Sequence, residues 1–347
     1  MASPAPRPIP LAVALDGTAR PAAPERFGAS GYLRLVRLAE RGTLDFVTLG
    51  DAFGRPGPDA LAVLSRVAPA TTRIGLVPTV TTTHTEPFHV ATSIATLDWV
   101  SAGRAGWRPD VSLTAAEAAL FGRRPAPAPD AAWREAGEVA EVAARLWDSW
   151  EDDAEIRDRA SGRFIDRDKL HHTDYTGEFF AVRGPSTVPR PPQGRPPVVL
   201  DATGTGPGGA TVRQVAAAHA DVALVRAQDP HAASAARDDL RARARALGRD
   251  PDRLLVLASV AIELYASGDA VALAELIGDW YADGAVDGFH LRPADPARDL
   301  GLLVDGTVPV LQHRCLLRRF YPGATLREHL GLPRPANRHA RTREVSR

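Results

Sequence analysis

The sequence predicts an α/β protein whose architecture is a (β/α)8 TIM barrel with an insertion between strands four and five. Short β-branched runs alternate with longer stretches of helical period, which indicates parallel strands joined by helical crossovers. The 347 residues are enough for eight such units and an insertion. A doubly wound open sheet is the alternative. Its glycine-rich fingerprint is absent, because residues 16–20 after the first strand contain a single glycine.

Four strand–helix pairs are expected in the first half of the chain. The apolar runs at residues 11–15, 45–49 and 74–77 predict three strands, and residues 105–107 predict a short fourth strand. The helical patterns that follow these strands lie at residues 32–39, 61–67, 90–97 and 131–149. The proline-rich residues 123–130 predict an extended segment before the last of these helices.

The second half repeats this alternation within the same domain, which we take as residues 1–347. Its predicted strands lie at residues 198–200, 222–225, 254–260 and 288–291. Its predicted helices lie near residues 210–218, 232–247, 270–282 and 302–316. Eight units therefore account for a complete barrel.

Two segments do not follow the alternation. Residues 150–196 are polar and proline-rich toward their end, and we expect this insertion to form a lid or a wall of the substrate pocket. Residues 333–347 have little apolar content and are expected to be a frayed tail.

Composition excludes several classes of function. The 42 basic and 42 acidic residues leave no net charge, which argues against nucleic-acid binding. Cys315 is the single cysteine, so intramolecular disulfides and cysteine metal sites are excluded. No run of 18 apolar residues is present, and residues 1–8 lack the apolar core of a signal peptide, so we expect a cytoplasmic protein without a membrane span.

Polar residues at the carboxyl ends of the predicted strands are the candidates for function, because the working residues of such barrels lie there. They are Asp51, Thr79, Thr81, Thr82, Thr83, Arg108, Asp110, Asp201, Thr203, Thr205, Arg226, Asp229, His290 and Arg292. Residues 201–209 are the most informative, because their small side chains and the following helix suit a phosphate. A flexible loop with a threonine cap is the alternative reading.

Residues 79–84 place several hydroxyls and the imidazole of His84 at another strand end. They suit the polar edge of a ring-shaped cofactor, although the local sequence alone favours a simpler explanation, β-propensity and a capped turn. No metal-ligand spacing and no nucleophile elbow is present, so neither a metal hydrolase nor a serine hydrolase is expected.

Longer motifs carry a resemblance to a known family. They are Thr-His-Thr-Glu-Pro-Phe-His-Val at residues 83–90 and Ile-Ala-Thr-Leu-Asp-Trp-Val-Ser-Ala-Gly-Arg-Ala-Gly-Trp at residues 94–107. Four further segments agree in the same order, at residues 39–46, 146–150, 190–196 and 325–332. Together they resemble the bacterial luciferase-like flavin-dependent monooxygenases, in the branch of the nitrilotriacetate, dibenzothiophene-sulfone and pristinamycin-synthase monooxygenases.

The resemblance implies a TIM barrel that uses reduced FMN (FMNH2) supplied by a separate NAD(P)H:flavin reductase. It implies that a C4a-peroxyflavin transfers one oxygen atom from O2 to a small organic substrate, and that the protein is a homodimer. In such chemistry the flavin carries the difficult step, and the protein orients the reactants and excludes water. This implication agrees with the absence of a catalytic triad or metal cluster from the sequence.

The resemblance also implies site residues. Asp51 matches a flavin-contacting acid, Thr79 and Thr81 match positions along the isoalloxazine, and Thr203, Gly204, Thr205 and Gly206 match the phosphate loop. Trp133 stands at a position that helps to hold flavin. His84 and Arg108 are the candidate catalytic residues, and Arg108 suits a phosphate or a substrate carboxylate.

Several residues depart from the family pattern. Arg108 replaces an asparagine, Pro129 and Trp133 replace a histidine and a tyrosine, and the long segment after strand seven is missing. Two alternatives therefore stay open: a deazaflavin-dependent hydride-transfer enzyme, and a flavin-free, non-catalytic barrel.

Overall fold

Eight parallel strands form one sheet in this computed structural model, which describes residues 8–17 and 28–340. The eight strands are β1 (Leu11–Ala14), β2 (Phe46–Leu49), β3 (Gly75–Thr81), β4 (Arg108–Asp110), β9 (Val199–Asp201), β10 (Val222–Val225), β11 (Leu255–Ile262) and β12 (Gly288–Pro293). Their order in the sheet is β4-β3-β2-β1-β12-β11-β10-β9. Buried Val, Ile and Leu side chains fill most of them, as expected for parallel strands covered by helices.

The outer strands β4 and β9 meet next to Trp107, which closes the sheet into a barrel. The N–H of Trp107 donates to the carbonyl of Pro197 at 3.0 Å, and the N–H of Val199 donates to the carbonyl of Trp107 at 2.9 Å. These bonds satisfy strand edges that would otherwise be unpaired. The predicted TIM barrel is confirmed.

Helices cover the outside of the barrel. The principal helices are α1 (Ala29–Arg41), α2 (Ala60–Val67), α3 (Pro87–Val100), α4 (Ala115–Phe121), α5 (Pro129–Asp148), α6 (Gly209–His219), α7 (Pro230–Ala246), α8 (Ser267–Ala282), α9 (Pro296–Leu302), α10 (Val308–His313) and α11 (Leu326–His329). The prediction of an extended segment through residue 130 is wrong at its end, since α5 begins at Pro129. A proline suits the first turn of a helix, where its missing N–H costs nothing.

The fourth strand lies later than predicted. Residues 105–107 make only isolated bridges to neighbouring segments, and the strand proper begins at Arg108. It pairs with β3 so that Thr79 faces Arg108 and Thr81 faces Asp110. The apolar pattern does not predict this strand, because it consists of Arg108, Pro109 and Asp110.

The insertion lies mainly at the amino ends of the strands, because it follows α5. It contains two hairpins, β5 (Glu155–Asp158) with β6 (Arg163–Ile165) and β7 (Tyr175–Thr176) with β8 (Ala181–Val182). The side-chain amide of Gln193 donates to the carbonyl of Ala105, which precedes β4, at 2.8 Å. Arg327 of α11 donates to the carbonyl of Arg195 and to the carboxylate of Asp221, which precedes β10.

The carboxyl-terminal segment packs against the end of α5. Asn337 is buried and donates to the carbonyls of Asp148 and Trp150 at 3.0 and 2.7 Å. His339 stacks on His171 with ring centroids 3.8 Å apart. The prediction of a frayed tail is therefore wrong for residues 333–340, because polar side chains anchor them, and residues 341–347 lie outside the described residues.

Candidate active site

Polarity inside the barrel changes from the amino to the carboxyl ends of the strands. The lower interior is apolar and contains Phe46, Val77, Val199 and Leu257, and Leu326 of α11 closes it from below. Side chains alternate between the two faces of each strand. The polar residues two and four positions after these apolar residues therefore face the same interior. This geometry brings the strand-end residues together at the mouth of the barrel.

A buried hydrogen-bonded network lies directly above the apolar layer. The ring of His290 lies between the hydroxyl of Thr48, 2.9 Å from Nε2, and the hydroxyl of Ser259, 3.1 Å from Nδ1. Because only β1 lies between β2 and β12 in the sheet, the contact between Thr48 and His290 spans β1 on the inner face of the barrel. Burial, together with the charges of Arg108 and Arg292, lowers the pKa of His290 to about 3. The imidazole is therefore neutral at physiological pH.

The neutral state of His290 predicts a pH dependence of stability. Between pH 6.5 and about 3, His290 is protonated in the unfolded chain and neutral in the folded chain. The contribution of neutral His290 to the free energy of unfolding is therefore complete above pH 6.5 and falls by about 1.4 kcal/mol for each pH unit below it. We expect His290→Gln to remove this slope, so that the difference in free energy of unfolding between wild type and variant shrinks by about 3 kcal/mol from pH 6.5 to 4.

Urea unfolding at several pH values measures this difference. Burial raises the pKa values of Asp45 and Asp98 to about 6. These groups are common to both proteins, so their contributions to the pH dependence cancel in the difference. A difference that is independent of pH would show that His290 titrates normally in the folded chain.

A cleft of about 610 Å³ opens above this network, at the carboxyl ends of β9 to β12. The phosphate-loop candidates Thr203, Gly204, Thr205 and Gly206 form one wall, and Trp133 of α5 contributes to the same cleft. The volume is within the usual range for small-molecule sites. Its other polar lining residues are Asp201, Arg226, Gln228, Ser259 and Arg292.

Close backbone packing sets the shape of the glycine-rich wall. Gly204 has φ +62°, and a Cβ added at Gly209 would lie 2.7 Å from the carbonyl carbon of Gly204 and even closer to its oxygen. The N–H groups of Gly204, Thr205 and Gly206 donate no hydrogen bond within residues 8–17 and 28–340. Three backbone donors in the loop that leads into α6 are thus available to a ligand.

An ion pair supports this wall. Arg226 donates to Asp201 Oδ2 at 2.9 Å, and the Thr203 hydroxyl donates to Asp201 Oδ1 at 2.6 Å. The Arg226 side chain is 55% exposed, so its guanidinium also remains accessible to a ligand.

The other predicted site residues lie outside the lining of the cleft. Thr79 and Thr81 are buried on β3, and Arg108 is half-buried beside Thr79 on β4. The Thr79 hydroxyl has no hydrogen-bond partner in the described part of the chain. Asp51 instead accepts the N–H of Ala60 at 3.1 Å, at the start of α2.

His84 occupies a strained and buried position after β3. Its φ is +67°, its ring stacks on Phe121 with centroids 5.2 Å apart, and neither ring nitrogen has a hydrogen-bond partner among the residues described. Burial and the charge of Arg124 lower its pKa. The imidazole is an unsatisfied polar group outside the cleft.

The structure corrects the expected role of the insertion. No residue of segment 150–196, which is described throughout, lines the cleft. The prediction that this segment walls the substrate pocket is wrong for this cleft, since a segment that follows a helix returns to the amino ends of the strands. Its hairpin β7–β8 instead packs outside α5, where Glu178 pairs with Arg134 at 2.8 Å.

The sequence pattern misses part of the cleft lining. Ser259 of β11 lines the cleft but is not among the strand-end candidates. Arg226 and Arg292 are among those candidates, but the sequence assigns them no role. Ser259 is the one polar residue of the otherwise apolar strand β11, and this exception is the signal that could have found it. Across the described ranges no cluster of three or more His, Cys, Asp or Glu side chains suits a metal ion, and no helix there is long and apolar enough to cross a membrane.

Comparison with known proteins agrees with this architecture. N-acetyl-S-(2-succino)cysteine monooxygenase of Bacillus subtilis is 30% identical, covering 89% of this chain and 91% of that protein. Nitrilotriacetate monooxygenase component A of Aminobacter aminovorans is 30% identical, covering 88% and 90%. One of the proteins that make up the pristinamycin IIA synthase of Streptomyces pristinaespiralis is 31% identical, covering 96% and 98%.

Solved structures have the same fold. EDTA monooxygenase from Chelativorans sp. BNC1 superposes with a TM-score of 0.82 at 23% identity, covering 94% of this chain and 99% of that one. A riboflavin lyase in complex with modified FMN and riboflavin superposes with a TM-score of 0.84 at 21% identity, covering 96% and 98%. The family model for luciferase-like monooxygenases matches residues 12–307. The chain is a member of the luciferase-like monooxygenase family.

Proposed function

We propose that this enzyme is a flavin-dependent monooxygenase that uses reduced FMN and O2 to oxygenate a small organic substrate. Membership of the luciferase-like family supports this proposal, as does the modified FMN in the related riboflavin lyase structure. A relative named component A supports a separate NAD(P)H:flavin reductase as partner.

The glycine-rich wall of the cleft carries the proposal. Its three free backbone N–H groups and the accessible guanidinium of Arg226 form a donor set that suits a phosphate without a lysine. The residues present therefore fit the phosphate end of FMN.

The rest of the mouth suits a flat, polar ring. The half-buried indole of Trp133 offers an apolar face, and the buried hydroxyl of Thr79 lacks a protein partner in the described ranges. Bound reduced flavin supplies the electrons that activate O2. Trp133 and the loop would exclude water, and Thr79 and Thr81 would orient the ring edge.

His84 and Arg108 complete the proposal as candidate catalytic residues. His84 is neutral because its pKa is lowered, so its free nitrogens are able to accept or donate a proton. Arg108 places a positive charge at the mouth of the barrel, beside Thr79. Both would act only on a ligand that extends from the cleft toward β3 and β4.

The closeness of Gly204 and Gly209 provides a test of the phosphate wall. We expect Gly209→Ala to weaken binding of reduced FMN at least about tenfold, because the new methyl group displaces the loop that carries the donors. Anaerobic isothermal titration measures this affinity. Gly301→Ala is the matched control, since a Cβ there meets no atom within 4 Å.

The result decides between the proposal and its alternatives. Equal FMN affinity in Gly209→Ala and Gly301→Ala would place the phosphate elsewhere. Wild-type preference for a deazaflavin over FMN would favour hydride transfer, and binding of neither would favour a non-catalytic barrel.

We also propose that the enzyme is a homodimer. The exposed side of α3 presents Trp99 and Val100, at 48% and 49% exposure, together with uncharged polar residues. Sedimentation equilibrium would detect a mass twice the 37.0 kDa of one chain.

A further inference from the structure

Arg292 is a cationic side chain in the cleft without a protein partner. It lies on β12, is half-buried and lines the cleft. Its Nε atom is buried without a hydrogen bond, and its guanidinium makes no ion pair, as far as the described residues extend. A partly buried charge without a counter-ion costs free energy, which is acceptable where a ligand provides the partner.

The nearest carboxylates are occupied by other donors. Asp201 and Asp16 both lie within electrostatic range of Arg292. Asp201 binds Arg226 and the hydroxyl of Thr203, while Asp16 accepts the N–H of Gly50 at 2.9 Å. The cleft lining thus contains two arginines and one carboxylate, which leaves one positive charge uncompensated.

The backbone of Arg292 stands away from the glycine-rich wall, while its guanidinium lies within electrostatic range of Arg226 and Asp201. β12 is three strands from β9 in the sheet, which at about 4.8 Å per strand is roughly 14 Å along the barrel wall. Arg292 pairs with Ala261 of β11, one layer above the pair of His290 and Ser259. Its neighbours therefore include the Ser259 hydroxyl, which lines the cleft and is held by neutral His290.

We infer that Arg292 and Ser259 form a second anion site, which takes a carboxylate of the small organic substrate. This inference rests on the proposed function, in which the glycine-rich wall and Arg226 hold the flavin phosphate. A guanidinium binds a carboxylate through two parallel hydrogen bonds. The hydroxyl of Ser259 adds a third donor in the tautomer in which His290 Nδ1–H donates to its oxygen. The substrate class is therefore small organic acids.

Succinate and its neutral analogue succinamide are the probes, titrated into flavin-free protein by calorimetry at constant ionic strength. We expect wild type to bind succinate and not succinamide, and Arg292→Gln to bind succinate at least tenfold more weakly. Arg292→Lys should retain an intermediate affinity, because it keeps the charge and loses the paired geometry. Arg243→Gln is the control, since Arg243 pairs with Asp239 outside the cleft.

Two further measurements separate this site from a structural role and from the phosphate site. The melting temperature of Arg292→Gln should equal or exceed that of wild type, because an unpaired charge is removed. Its affinity for reduced FMN should stay within twofold of wild type. A clear fall in melting temperature would show that Arg292 is paired within the folded chain and would overturn the inference.

The remaining outcomes are equally decisive. No preference for succinate over succinamide would overturn the inference, as would an equal loss of FMN affinity in Arg292→Gln and Arg226→Gln, which would assign Arg292 to the phosphate. Failure of wild type to bind FMN would overturn the proposed function. The succinate titration, performed without flavin, would still report on Arg292 itself.

Discussion

Replacing Asp148 with alanine is expected to lower the free energy of unfolding by about 3–5 kcal/mol. The Asp148 side chain is fully buried at the end of α5. It binds Arg190 at 3.1 Å, Arg338 at 3.2 Å and also Arg195, so it joins the insertion and the carboxyl-terminal segment to the barrel. Its removal would leave buried Arg190 without its central partner. Urea unfolding measures the loss.

Asp239→Ala is the matched control for this prediction. Asp239 pairs with Arg243 on α7, where both side chains are about one-third exposed, at 36% and 33%. We expect that variant to lose less than about 1 kcal/mol, since solvent screens the pair. Equal losses in the two variants would mean that the cluster around Asp148 contributes no more than a surface ion pair.

Replacing Arg226 with glutamine is expected to raise the dissociation constant for reduced FMN by about 10- to 100-fold. The substitution removes a charged donor from the phosphate wall and leaves Asp201, now without its partner at 2.9 Å, to repel the phosphate. Riboflavin has no phosphate, so its affinity should change less than twofold. Anaerobic titration of both flavins into the variant measures the two effects.

The comparison of flavins makes this prediction specific. A parallel loss of FMN and riboflavin affinity would indicate damage to the cleft rather than loss of a phosphate contact. Arg243→Gln, which removes a paired arginine from the surface of α7, should bind both flavins as wild type does.

Much of the barrel is readable from the sequence because buried parallel strands are short apolar runs. Residues 222–225 and 46–49 are four-residue strands with every side chain buried, and the apolar pattern predicts them within one residue. It misplaces β4, because Arg108 and Asp110 face polar surroundings at the mouth and Pro109 interrupts the apolar pattern. Because its residues are polar, the apolar pattern predicts neither the position of β4 nor its function.

The site is only partly readable for a related reason. Thr203 to Gly206 and Trp133 line the cleft together, as the resemblance implies, although Trp133 is 70 residues distant from Thr203 in the sequence. The sequence does not single out Ser259 or assign a role to Arg292, because many polar residues follow strands and only the paired register shows which of them face one cavity. The polar segments beyond residue 150 are likewise held by ion pairs whose partners are distant in sequence.

We propose that the cleft above Ser259 and His290 holds a flavin by its phosphate. The decisive measurement is anaerobic calorimetric titration of the wild-type enzyme with reduced FMN and, in parallel, with reduced riboflavin. We expect one FMN per chain and an affinity at least about tenfold higher than that for riboflavin, since a charged phosphate contact contributes that much. Absence of saturable FMN binding up to high micromolar concentration would contradict it.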